Sequence, residues 1–231
     1  MLTNAGSKSR LTSKKMQSKH LQYYGRSRFT PLYNPHYEQV IYNISALRFP
    51  LEDFLYQETL FKVMSFEHGI SSSIMSAAID QLLTALSHYS KILLVRFDLR
   101  VYTETPNNSV ISKYRKTLLR YLDKKYQSKA WLFWVREQTP RSDKAHYHCF
   151  ILLNGHKAKS GWGAFQQVQK ACYLHPDTSA WLPESASYKI ERNGLKSVES
   201  AIHRISYLAK NYSKELTPNK VKRFQTSSSR A

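Results

Sequence analysis

Between positions 50 and 89 the apolar residues fit two helical stretches, and the second is the better defined. Met75, Ile79, Leu82, Leu83 and Leu86 recur at i+3 and i+4 spacing, with Ser71, Ser72 and Ser73 available as an N-cap. Beyond residue 90 the rhythm changes. Residues 91–100 (KILLVRFDLR), 130–138 (AWLFWVREQ) and 147–153 are short apolar runs that read as strands. Residues 139–145, with Pro140, Ser142 and Asp143, supply a turn between the last two, which predicts an antiparallel pair. Residues 112–126 read as a basic amphipathic helix. A further helix is predicted over 164–173, a short strand over 187–191 and a last helix over 198–212, with an irregular stretch around Pro176 and Pro183. Strand, helix, strand pair, helix and strand together predict an α+β fold, an antiparallel sheet carrying its helices on one face.

Composition narrows the partners. The 231-residue chain carries 35 Lys+Arg against 16 Asp+Glu, a formal charge of +19. A polyanion is the expected ligand, either nucleic acid or an anionic surface. No apolar run is long enough to span a bilayer, and the first fifteen residues lack the apolar core of a secretory signal, so we expect a cytoplasmic protein and no membrane partner. The first 37 residues contain no acid, while Lys8, Arg10, Lys14, Lys15, Lys19, Arg26 and Arg28 lie among polar residues, as in a mobile basic arm. The expected division is a basic arm (1–40), a helical extension (41–90), a catalytic domain (91–215) and a basic tail (216–231). Cys149 and Cys172, one in a strand run and one in a helix run with no close pairing motif, are expected as buried reduced thiols.

Two clusters carry chemistry. His146 and His148 flank one residue at the start of a strand, so both imidazoles project from the same face of the sheet. Glu137 ends the preceding strand and can reach that face across the hairpin, giving a three-ligand site open to water and substrate. Its alternative is a surface carboxylate paired with Arg136 or Lys144. On the last helix Tyr207 and Lys210 stand three apart and share a face, offering a phenol and an ammonium together. A phenol, with a pKa of about 10, needs a nearby cation or base to act as a nucleophile. Lys113, Arg115, Lys116, Arg120, Lys124 and Lys125 on the basic helix are candidate phosphate contacts beside the site.

The ordered series WVRE (134–137), HYHCFILLNG (146–155), SYLAK (206–210) and KRFQTSSSR (222–230) resembles the HUH endonucleases, and within them the rolling-circle replication proteins of inovirus-type filamentous phages and prophages. The resemblance spans roughly residues 91–230. It implies a ferredoxin-like catalytic domain in a bacterial host cell, with His146, His148 and Glu137 as metal ligands, Tyr207 as nucleophile and Lys210 as its electrostatic helper. Tyr212 is a second or substitute nucleophile, and Asp98, in the loosely matching segment Val95-Arg96-Phe97-Asp98, either binds metal or ends a strand. The implied activity is nicking and rejoining of single-stranded or locally melted origin DNA through a 5′-phosphotyrosine, with host replication proteins as possible partners. Mg²⁺ or Mn²⁺ is the expected cofactor, although affinity alone favours Zn²⁺. The alternative is a DNA-binding regulator that keeps the scaffold without the reaction.

Overall fold

The computed structural model describes residues 50–104, 106–138, 144–211 and 220–227. The expected basic arm, and Tyr212, lie outside these residues. A six-stranded antiparallel sheet forms the centre. Strand β3 (Lys91–Val101) pairs with β5 (His146–Asn154), which pairs with β4 (Trp131–Glu137), so the predicted hairpin partners are neighbours. Helix α2 (Ser109–Tyr126) links β3 to β4, and α3 (Gly161–Tyr173) links β5 to β6 (Thr178–Trp181). The outer edge of β3 carries β6 along Asp98–Val101 and β7 (Ser187–Glu191) along Lys91–Val95. The resulting order, β6-β3-β5-β4, is that of a β-α-β-β-α-β unit.

The strands are apolar without interruption because both faces are buried. Leu93, Val95, Phe97 and Leu99 face α2 and α3, together with Trp134, Tyr147, Cys149 and Ile151. Ile92, Leu94, Phe133, Phe150 and Leu152 face the other way, onto α1 (Ser72–His88) and α4 (Leu195–Ser206). The two crossover helices share one face, as expected, but helices cover the opposite face as well. Cys149 and Cys172 are free thiols, the first fully buried in β5 and the second half-buried in α3.

The segment expected as the first helix is instead a hairpin, β1 (Leu51–Tyr56) and β2 (Thr59–Met64). Its pattern is period two: Phe54, Tyr56, Phe61 and Val63 are buried while Leu55 and Leu60 are exposed. The second helix forms as predicted, with the Ser71 hydroxyl accepting from the Ile74 N–H. Hairpin and α1 pack into the same core as α4, so residues 51–88 are part of one body with the sheet. In the basic tail, β8 (Phe224–Gln225) adds an edge strand to β4, and Phe224 stacks on Phe133. Among the described residues no helix is long and apolar enough to cross a membrane.

Candidate active site

Register sets the site. Asp98 pairs with His148, which pairs with Val135; one step along, Arg100 pairs with His146, which pairs with Glu137. Alternation then puts Arg96, Asp98, Arg100, His146, His148 and Glu137 on one face, the face that carries α4. His148 is almost wholly buried there, 5% exposed, with Nδ1 2.8 Å from Asp98 Oδ1 and Nε2 3.0 Å from Glu137 Oε2. His146 Nε2 lies 4.0 Å from Asp98 Oδ2 and is a buried nitrogen with no hydrogen-bond partner among the described residues.

Tyr207 hangs over this cluster. Helix α4 ends at Ser206, earlier than the pattern predicted, and Tyr207–Ala209 form a single 3-10 turn. The tightening has local causes. The buried Ser206 hydroxyl donates to the His203 carbonyl and accepts from the Met64 N–H of β2. Beyond the turn, the Ser71 N–H donates to the Ala209 carbonyl, Ile70 bridges to Lys210, and the Asn211 N–H donates to the Gly69 carbonyl. Gly69 makes that loop possible with a φ of 64°. In a 3-10 turn residues three apart eclipse, so Tyr207 and Lys210 still meet: Lys210 Nζ donates to the Tyr207 hydroxyl at 3.0 Å. Lys210 Nζ also lies 3.6 Å from Glu137 Oε1. The Tyr207 ring meets His148 edge to face at 5.5 Å, and the Arg96 guanidinium covers it at 4.5 Å. Arg96 in turn pairs with Asp98 at 3.4 Å.

A family model for the YagK/YfjJ C-terminal domain matches residues 56–227. The chain belongs to that family. No curated protein and no solved structure matches it. The YagK/YfjJ C-terminal domain thus takes in most of the hairpin and all of α1, which brace the Tyr207 segment and lie in the 41–90 stretch expected as a separate extension.

Charge in the site is polarised. Burial works against an ionised Asp98, but the hydrogen bond and charge of His148, with Arg96 and His146, together hold its carboxyl below the ordinary range. Burial and the neighbouring His148 charge push His146 down to about 4, only partly opposed by Asp98 and Glu137. For His148 burial acts downward too, yet the hydrogen bonds and charges of Asp98 and Glu137 outweigh it and raise its pKa. Facing a carboxylate with each nitrogen, His148 is best satisfied as an imidazolium, while His146 is neutral with a lone pair to offer.

Asp98, His146 and His148 place ligand atoms within 4.8 Å of one another, a group that could hold a metal ion. The unpartnered His146 nitrogen and the ionised Asp98 suit a cation. Glu137, expected as the third ligand, stands outside that trio, engaged with His148 and Lys210. It is not paired with Arg136, which lies on the other face and donates to Tyr147, Asn107 and Asn108. The signal for Asp98 was present in the sequence: Arg96, Asp98 and Arg100 form a polar stripe with period two in an otherwise apolar strand.

The basic helix is not beside this site. Ile111, Tyr114, Leu118 and Leu122 of α2 pack on the opposite face of the sheet. Lys113, Lys116, Arg120, Lys124 and Lys125 are exposed there, whereas Arg115 turns toward the Ser227 hydroxyl at 3.5 Å.

Proposed function

We propose that this domain nicks and rejoins single-stranded DNA through a tyrosine–phosphate ester, with Tyr207 as the nucleophile. The observation that carries the reading is the convergence of a phenol, an ammonium and an Asp-His-His group on one buried face. Asp98, His146 and His148 would hold the divalent cation, Mg²⁺ or Mn²⁺ in use. When bound, such a cation withdraws charge from a non-bridging phosphate oxygen.

The chain's own residues do the rest. The clamp on residues 206–211 fixes the Tyr207 hydroxyl over the sheet and removes the entropy of orienting it. Lys210, donating to that hydroxyl, favours the developing phenolate, and Arg96 over the ring adds positive charge to the same end. Glu137 steadies Lys210 and His148 together. In the reaction the Tyr207 oxygen bonds to phosphorus, the P–O3′ bond breaks, the phenol proton passes to water and the 3′ oxygen gains a proton from water. The products are a 5′-phosphotyrosine and a free 3′-hydroxyl. Because the ester conserves the bond energy, reversal reseals the strand, which suits initiation of rolling-circle replication.

The test is adduct formation. Purified full-length protein, incubated with labelled candidate-origin single strands and Mn²⁺, should give a denaturant-resistant protein–DNA band that Tyr207→Phe and His146→Ala abolish. Binding without any adduct across origins and metals would leave a DNA-binding regulator. Cleavage that persists in Tyr207→Phe would mean that water is the nucleophile.

A further inference from the structure

The polar row of the site does not stop at Asp98. Its partner on the edge strand is Trp181, so this side chain belongs to the same face, its backbone about 10 Å from that of His148 across two strand spacings. Trp181 is 66% exposed, an unusual state for the largest apolar side chain. One step along, Arg100 pairs with Ser179 on one side and with His146 on the other, and it is exposed. Tyr102 follows on the same face, 53% exposed, its hydroxyl 2.6 Å from Ser179 Oγ. Two open aromatic rings thus flank an exposed guanidinium where the sheet runs out from the Asp-His-His group.

We infer that this edge is a nucleotide subsite, in which Trp181 stacks on a base of the single strand adjoining the reacting phosphate and Arg100 meets a backbone phosphate. The inference rests on the reading of the site given above and names how it would hold its substrate. Flat rings spaced by cations are what a single strand offers its bases and phosphates to, whatever its sequence. The alternative occupant, a protein segment, accounts for the rings but not for Arg100 between them in a chain of formal charge +19.

Trp162 supplies an internal control, because it is 57% exposed on α3, against the opposite face of the sheet. Full-length Tyr207→Phe protein, which cannot form an adduct, is titrated into a short fluorescein-labelled mixed-sequence single strand and followed by anisotropy. Adding Trp181→Ala should weaken binding roughly 5- to 150-fold, the usual worth of one stacked base. Trp181→Phe should recover most of it, and Trp162→Ala should change nothing. An abasic position walked along the strand should find one place where losing the base weakens the parent but not the Trp181→Ala protein. Unchanged binding in Trp181→Ala overturns the subsite, even if the wild type forms its adduct. A Trp181-dependent loss with no adduct from the wild type keeps the subsite and sinks the nicking reaction. No single-strand binding by the parent overturns both.

Discussion

Replacing Asp98 with Asn separates the two carboxylates that compete to be the third ligand. The amide keeps an acceptor for His148 Nδ1, now 2.8 Å away, but removes the charge that His146, His148 and Arg96 surround. If Asp98 is a ligand, Mn²⁺ affinity should fall at least ~10-fold and as much as ~100-fold, since even the loss of an outer partner that orients a ligand costs about that much. In free energy this is about 1.4–2.8 kcal/mol. Stability should fall as well. Arg96 is 5% exposed and among the described residues its guanidinium would keep only the Tyr207 ring, and stripping one partner from a buried pair costs about 3–5 kcal/mol. The retained hydrogen bond argues for the low end, about 3 kcal/mol. Isothermal titration with Mn²⁺, and urea unfolding of the metal-free protein, measure the two effects separately. Glu137→Gln serves as the comparison, since Glu137 touches His148 and Lys210 from outside the trio. The reasoning is refuted if Asp98→Asn binds Mn²⁺ like the wild type while Glu137→Gln loses tenfold.

Three further outcomes follow from the same geometry. His148 carries a raised pKa between its two carboxylates, so metal binding must expel its second proton; titration at neutral pH in buffers of different ionisation enthalpy should reveal proton release, and affinity should climb with pH until that pKa is passed. His146 has a folded pKa of about 4 against 6.5 unfolded, so the unfolded chain binds the extra proton between those values and stability falls as pH drops through that window. His146→Gln should flatten this slope in thermal unfolding, whereas the raised His148 acts in the opposite sense, adding stability at low pH that is lost on rising above 6.5. Ser206→Ala strands the buried Met64 N–H and should cost about 1–3 kcal/mol in urea unfolding, with an equal loss in Ser206→Cys counting against the hydrogen bond as the cause.

Elements buried on two faces were the easiest to read. Strands β3, β4 and β5 are near-continuous apolar runs, and their ends lie within a residue or two of the predicted ones. The His146–His148 spacing and the Tyr207–Lys210 pair were legible because each is local. What escaped depends on partners distant in sequence. The β1–β2 hairpin turns at Gln57 and Glu58, without the Gly or Asn that usually marks such a turn, so the sequence carries no local signal that separates it from a helix. Helix α4 stops at Ser206 because a strand 142 residues earlier claims its hydroxyl. Asp98 stayed ambiguous until its register against His148, fifty residues on, was fixed. Strand β6, only four residues long and mixed in character, has no periodicity to mark it, and nothing in the sequence places Trp181 on the site's face.

The brace on residues 206–211 has a practical consequence for anyone dissecting this chain. A truncation starting at Lys91 would retain the Asp98-His146-His148 trio and the six-stranded sheet, yet it would discard Met64, His68, Gly69, Ile70 and Ser71, whose backbone groups anchor the segment that aims the phenol. Such a fragment would behave like a vice with its jaw unbolted: the hydroxyl swings out of line, and the sheet face that α1 covered opens to water.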